Sequence, residues 1–365
     1  MPIQANRYVP DFAIKINGTE LRHGVSVDVL SVSVTDTADR ADSFTFTVRD
    51  RHPERGRFAG GGRLKWIDDG LFDEQNEVEI ELGYVNNRAL NFSGLISGVS
   101  GSFAESGIPT LTIRGTCMYD KLQRQHRREP FESSTDGGIA QEIALSMGLI
   151  PVVDDTFFEH PLVSPNNATL DSILRGRAER LGFEVKVKGR KLYFQRPRYI
   201  AEPGVAQTLT WGRDLRSFSF NLVTYGLPTE VTYQGSQTSQ GGDRTLFTGT
   251  ATAGQERGQM GDKTGSQYAA RFGRNAILAN DHNLTSNAEA KALALAHLEK
   301  RSLDYITGHG SCIGMPELVA RIVVNLQGLG KRFSGNYYVT STTHTIDASG
   351  YRTEFDVKRN ARNDS

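Results

Sequence analysis

Eight histidines, two cysteines and a few clustered carboxylates are the residues of this chain that chemistry would call on. His23, His52, His126, His160, His282, His297, His309 and His344 form no HxxxH pair, and neither Cys117 nor Cys312 stands in a CxxC. Zinc needs such spacings to gather its ligands around one ion. Only His52–Glu54 and His344–Asp347 come near, and both pairs read as loop or strand-end residues. No GxSxG elbow occurs. Ser93-Gly94 and Ser97-Gly98 lie in an apolar run and read as strand-edge serines, and Cys117 as a small core residue. Gly328-Leu-Gly330-Lys331-Arg332 lacks the Walker spacing and sits between strands rather than before a helix. Gly60-Gly61-Gly62 before Arg63 reads as a flexible loop.

Paired carboxylates could cleave a glycosidic bond. The dense places are Asp68-Asp69, Asp154-Asp155 and the trio Glu77, Glu79 and Glu81. The trio alternates with Val78, Ile80 and Leu82, so its carboxylates share one face of a strand. That is a solvated or interface face; catalysis would need a carboxyl pushed into apolar surroundings. The sequence therefore names no catalytic, cofactor-binding or metal-binding set.

The features around these residues fit binding better than catalysis. The 365 residues carry 42 Lys+Arg and 42 Asp+Glu, a net charge of zero. Balance argues against coating nucleic acid, which rests on excess Lys and Arg, and against a polybasic membrane-surface protein. No run approaches the roughly 18 apolar residues of a membrane span, and the start, MPIQANRYVPDF, lacks a signal peptide's pattern. The two cysteines, far apart, read as buried thiols in a reducing compartment, with one long-range disulfide the alternative. The length predicts two or three domains.

Residues 1–120 read as an antiparallel β-barrel or sandwich. Phe12, Ile14 and Ile16 alternate before Asn17-Gly18; Val25, Val27 and Val29 follow, with a phase change before Val32 and Val34. Phe44, Phe46 and Val48, then Val78, Ile80 and Leu82, continue the pattern. Arg51 to Gly62 reads as loop. Residues 121–200 read as a small α+β unit. It opens with a basic run, Lys121 to Arg128, that is a solvated face or a patch for an acidic neighbour. One helix is capped by Asp136 and stopped by Gly148; a second is capped by Thr169 and stopped by Gly182. Residues 201–365 return to strands, with an excursion at about 235–302. Its part 235–270 is expected to be a long loop poor in core material, with Gly241-Gly242 in it, and Ser286 to Glu289 has capping-box spacing for the helix that follows. Whether the two β-segments are internally related stays open at this level. The charged outer face with Lys15, Glu79 and Glu81 is a candidate for subunit contact or lumen lining.

The ending carries the most specific signal. Gly314-Met-Pro-Glu-Leu318 leads into Ile322-Val-Val-Asn-Leu326, then Gly328, Gly330, Phe333, Gly335-Asn-Tyr-Tyr-Val339, His344 and Gly350-Tyr-Arg-Thr353. This resembles the C-terminal signature of the phage late control D family, the tail hubs of contractile phages and contractile injection systems, including the hub half of VgrG spike proteins. Phe12 to Gly18, Asp42 to Phe46, Phe92-Ser-Gly94-Leu-Ile96, Thr169 to Phe183, Leu192-Tyr-Phe194, Leu209 to Leu215 and Ser286 to Ala290 resemble the family's other motifs in order. The resemblance excludes roughly 235–280. One departure is Ala320-Arg321, where the family often places a glycine.

The resemblance implies a mainly β fold: two barrel domains, 1–120 and 201–365, flank the α+β unit 121–200. It implies a homotrimer whose six barrels ring a channel, adapting a sixfold inner tube to a threefold spike. The partners implied are a second and third copy, a spike protein, an inner tube protein and other baseplate components, with no cofactor, no specific nucleic acid and no membrane insertion. Such a chain would be made in the bacterial cytoplasm and built into a tail or injection particle. No β-helical needle follows the last strand pattern, so the spike is expected to be a separate polypeptide. A tail-associated cell-wall hydrolase or carbohydrate-binding module is the alternative function. A transcription regulator would need a helix-turn-helix and a basic surface.

Overall fold

Strands form where apolar residues alternate with hydroxyls, because alternation gives one face to a core and the other to water. Val32 and Val34 are buried while Ser31, Ser33 and Thr35 are half-buried on the other face. The computed structural model describes residues 9–21, 28–50, 66–68, 70–104, 108–117, 119–238, 244–281 and 283–364. His23, Val25, Val27, the stretch Arg51 to Gly62 with His52 and Glu54, Asp69, Gly241-Gly242 and His282 lie outside them.

The first segment holds β1 (Pro10–Ile16), β2 (Thr19–Glu20), β3 (Val29–Thr37), β4 (Ser43–Arg49), β5 (Glu77–Tyr84), β6 (Asn87–Ser102) and β7 (Thr110–Thr116). The middle segment follows as α1 (Asp120–Arg124), β8 (Phe131–Thr135), α2 (Asp136–Ser146), β9 (Ile150–Val153), β10 (Glu159–Val163), α3 (Leu170–Leu181), β11 (Glu184–Lys188) and β12 (Lys191–Gln195). The last segment begins with α4 (Arg198–Ala201), β13 (Val205–Thr210), β14 (Leu215–Leu222), β15 (Glu230–Thr238), β16 (Arg244–Thr252), β17 (Lys263–Thr264), α5 (Gly265–Ala269), β18 (Ala276–Asn280) and α6 (Asn287–Ser302). It ends with β19 (Ile306–Ile313), β20 (Val323–Gln327), α7 (Gly330–Phe333), β21 (Gly335–Asp347), β22 (Gly350–Arg359) and β23 (Ala361–Arg362). The fold is mainly β, built on one large, mostly antiparallel sheet of 13 strands, with helices concentrated in the middle segment and around the β15–β18 excursion.

Pairing answers the question of an internal relation. In the first segment the strands lie in the order β1-β5-β6-β7-β4-β3. In the last they lie in the order β13-β20-β21-β22-β19-β14. Taken in chain order, these are the same topology twice. The irregularities repeat as well. The bulge at Leu30 in β3 falls where Arg216 bulges β14, and the bulge at Ser97 in β6 falls where Thr340 bulges β21. One difference remains: β1 meets β5 antiparallel, whereas β13 meets β20 parallel. The halves join through β21, whose first residues pair β20 and whose last, Ser341 to Ile346, pair β3. The sheet curls, for Tyr84 at the end of β5 donates 2.8 Å to the Gly314 carbonyl and packs its ring 5.5 Å from Tyr351 on β22.

The first and middle segments share one apolar cluster, with Phe44, Phe46 and Ile80 among its strand residues and Ile139, Ile143 and Leu174 from α2 and α3. Helix limits follow the expected chemistry with small shifts. Thr169 caps α3 and Gly182 ends it in the left-handed region. α2 is capped by Thr135 rather than Asp136, its hydroxyl accepting from Gly138 N. Ser286 caps α6, but Glu289 turns back one residue further, to Thr285 N at 2.7 Å. A four-residue helix, α7, follows Gly328-Leu329, where the sequence reading had only a link between strands.

The expected loop at 235–270 is largely structure. β15 and β16 form a hairpin, β18 adds parallel to β15, and α6 packs across the sheet against Val231 and Ala251. Polar composition misled because only one face of this sheet is covered; its other face carries Thr232 and Thr250, hydrogen-bonded at 2.9 Å. Gly249 lets α6 approach, since a Cβ there would stand 2.1 Å from Lys291 N. Gly249→Ala is expected to lower unfolding free energy in urea by about 1–3 kcal/mol through overpacking.

Candidate functional site: a buried charged junction and an uncovered hydroxyl face

Five ionisable residues from all three segments meet where β3, β11 and the turn before β20 converge. β11 alternates Glu184, Lys186 and Lys188 with Val185 and Val187, but here both faces of the strand are covered, so Lys186 is 5% exposed. Lys186 Nζ pairs with Asp36, stands 3.4 Å from Asp42 and donates 3.0 Å to the Thr37 carbonyl. Asp36 also accepts from Ala320 N at 3.2 Å, and Asp42 from Thr37 N at 3.0 Å. Beside them Arg321 Nε donates 2.8 Å to Glu184, whose carboxylate also accepts from the Tyr338 hydroxyl at 2.6 Å. Burial pushes Asp42 up to about 7; burial, with the nearby cations Lys188 and Arg321, pulls Lys186 down to about 7. Burial also raises Glu184, against the opposing pull of Arg321.

Arg321 explains the departure noted in the sequence. Its φ is 70°, the left-handed region that favours glycine, and its N–H donates 2.8 Å to the Val339 carbonyl. The side chain a glycine would lack is the one that closes the ion pair with Glu184. None of the five was singled out from sequence as a site. The signal was present only as charges inside an alternating strand.

A second charged knot ties α3 to the excursion. Arg180 reaches Asp281 and Glu289, each at 2.7 Å, and lies 3.2 Å from His160 Nε2. Arg177 pairs with Asp136 at 3.2 Å.

The face of the large sheet opposite its core is uncovered and hydroxyl-rich. Cross-strand pairs run along it: Ser33 with Thr345 at 3.3 Å, Thr35 with Thr343 at 3.2 Å, Thr47 with Thr112 at 3.2 Å and Ser217 with Ser311 at 2.7 Å. On β1 and β5 this gives way to charges that pair among themselves. Lys15 lies 3.0 Å from Glu81 and 3.5 Å from Glu79, and Arg88 lies 3.6 Å from Glu81.

The other sequence candidates disperse. His344 is buried, with Nε2 donating to the Leu318 carbonyl and Nδ1 accepting from the Tyr351 hydroxyl, each at 2.9 Å. Asp347 is held on the surface by Ser349 and Arg352. Asp154 accepts from Arg196 N at 3.0 Å. Cys117 and Cys312 are buried thiols not joined in a disulfide, and burial pushes Cys117 up to about 11. Of the basic run, Arg127 is taken by Glu142 at 2.7 Å and by the Phe131 ring, and His126 by the Asn167 carbonyl at 2.7 Å. Lys121 and Arg128 are exposed. Among the described residues no three His, Cys, Asp or Glu side chains gather as metal ligands, and no helix is long and apolar enough to cross a membrane.

Comparison with known proteins gives the arrangement a context. The model of a family described as the Alg8 N-terminal domain matches residues 6–348. No curated protein matches the chain. The fold is similar to the 43 kDa tail protein of prophage MuSo2 from Shewanella oneidensis, at 12% identity and TM-score 0.68, covering 96% of this chain and 98% of that one. It is similar to the tail protein from Neisseria meningitidis MC58, at 14% identity and TM-score 0.68, covering 96% and 97%. It is also similar to the E. coli c3393 protein, a component of the type VI secretion system, at 12% identity and TM-score 0.52, covering 96% and 78%. The shared feature is the fold, that of tail proteins.

Proposed function

The chain belongs to the Alg8 N-terminal domain family; from its tail-protein fold and its duplicated topology we propose that it is a structural hub of a contractile tail or injection particle. The observation that carries this reading is the duplicated six-stranded unit. One chain offers two pseudo-equivalent units, so three chains offer six, which matches a sixfold tube on one side while keeping threefold symmetry for a spike on the other. The domains are those read from the sequence: a β-unit at 1–120, an α+β unit at 121–200 and a second β-unit at 201–365. The partners are two further copies, an inner tube protein, a spike protein and neighbouring baseplate components. The uncovered hydroxyl face lines the channel, where a surface low in net charge neither grips nor repels what passes. The chain acts as a part, not as an enzyme. The buried junction holds the α+β unit rigidly against both β-units, which a load-transmitting adapter requires.

Light scattering on the purified protein tests this. A mass three times that of the chain is expected, alone or with its spike protein. A chain that stays monomeric across concentration and in the presence of tube and spike proteins would remove the reading.

A further inference from the structure

Within one chain the two repeats are joined by strand pairing: β3 lies antiparallel on the last part of β21, Thr37 opposite Ser341 and Val32 opposite Ile346. The repeat has a counterpart for each partner. β14 corresponds to β3, and the end of β6 corresponds to the end of β21. Among the described residues both counterparts are open edges. β14 pairs β19 on one side, and no described strand pairs its other side. Gly98 to Ser102 pairs β7 on one side, and β5 has already ended at Leu95 on the other.

We propose that the edge of β14 in one copy pairs antiparallel with Gly98–Ser102 of β6 in the next copy, repeating between chains the β3–β21 junction seen within one. This rests on the hub reading and deepens it by naming the self-interface. The occupant is a second copy because the chain already contains the equivalent joint, closed. The matched bulges fix the register: Leu30 with Arg216, and Ser97 with Thr340. Carrying the β3–β21 pairs across sets Val223 opposite Gly98, Leu222 opposite Val99, Asn221 opposite Ser100, Phe220 opposite Gly101, Ser219 opposite Ser102 and Phe218 opposite Phe103.

The chemistry of the two edges agrees with that register. Phe220 is 42% exposed and Val223 39% on one edge, and Val99 is 38% and Phe103 59% on the other. Phe220, Val99 and Phe103 share one face and fall against each other, with the side chain of Phe220 over a glycine and between Val99 and Phe103, while Val223 lies on the other face opposite Gly98. On the opposite face Ser219 meets Ser102 and Asn221 meets Ser100, where the closed joint has hydroxyl pairs Ser33–Thr345 and Thr35–Thr343. Phe220 is already braced, its ring 4.1 Å from that of Phe333. An edge this long and unprotected is an aggregation hazard unless it is paired. A head-to-tail pairing whose rotation closes makes a ring.

The test is a pair of cysteines. Residues opposite each other on antiparallel strands have Cα atoms about 4.5–5.5 Å apart, within disulfide reach. Under mild oxidation the double variant S100C/N221C is expected to run as covalent dimers and trimers on a denaturing gel. S100C/S217C, four residues out of register, is expected to stay monomeric, and the native thiols are buried. A mixture of the two single variants S100C and N221C should stop at the dimer. F220D is expected to weaken self-association by about tenfold or more while leaving the unfolding transition in place. A native trimer in which S100C/N221C does not link overturns this pairing and leaves the hub reading standing. A strict monomer overturns both.

Discussion

Arg321→Ala is expected to cost about 3–5 kcal/mol of unfolding free energy, because it leaves Glu184 as a buried charge without its partner. The Tyr338 hydroxyl still donates to that carboxylate at 2.6 Å, but one neutral donor does not replace a guanidinium. Arg321→Gly separates the two roles of this position. Glycine relaxes the left-handed backbone at φ 70°, which recovers about 1 kcal/mol relative to alanine. The order of stability in urea is therefore wild type, then glycine, then alanine. Pairing Arg321→Gly with Glu184→Gln should restore part of the loss, since the buried charge is removed along with its partner. A glycine variant as stable as wild type would mean that the ion pair contributes no more than the roughly 1 kcal/mol that relaxing the backbone recovers.

The second large effect is a pH dependence that belongs to His344. The ring is fully buried, and burial pulls it from 6.5 down to about 4, with the hydrogen bond to the Leu318 carbonyl opposing. The folded state thus favours neutral imidazole. Between pH 6.5 and 4 the unfolded chain takes up a proton that the folded chain refuses. Stability is complete above about pH 6.5 and falls as pH is lowered towards 4. At about 1.4 kcal/mol per pH unit the loss reaches roughly 3 kcal/mol. His344→Gln keeps a donor for Leu318 and an acceptor for Tyr351 but does not titrate. Unfolding free energies at pH 7 and pH 4 should therefore differ by about 3 kcal/mol less in the variant than in wild type. Equal differences in the two proteins would place the acid sensitivity elsewhere.

Much of the scaffold was legible because strand alternation and helix caps are local. Thr169, Gly182 and Ser286 sit where short-range hydrogen bonding puts them. The duplication was not legible, because corresponding strands share burial and bulges rather than residue types. Phe44 and Phe46 of β4 correspond to Gly308 and Gly310 of β19. The missing volume comes from neighbouring strands: a Cβ at Gly308 would stand 2.6 Å from the Phe218 ring, and one at Gly310 would stand 2.5 Å from the Phe355 ring. The core is conserved as space and exchanged as side chains, which no scan of letters detects. The junction was missed for a related reason. Lys186 occupies what alternation marks as the polar side of β11, and only the packing of the middle segment against β3 buries that side. The charged face of Lys15, Glu79 and Glu81 was found, but its charges satisfy one another rather than awaiting a partner.

End-on electron-microscope images of the purified assembly test the central claim most directly. Three chains, each with two like but unequal β-units, should give six lobes alternating in kind around an open centre. Particles of one chain, or an assembly whose lobes do not come in sixes, would contradict it.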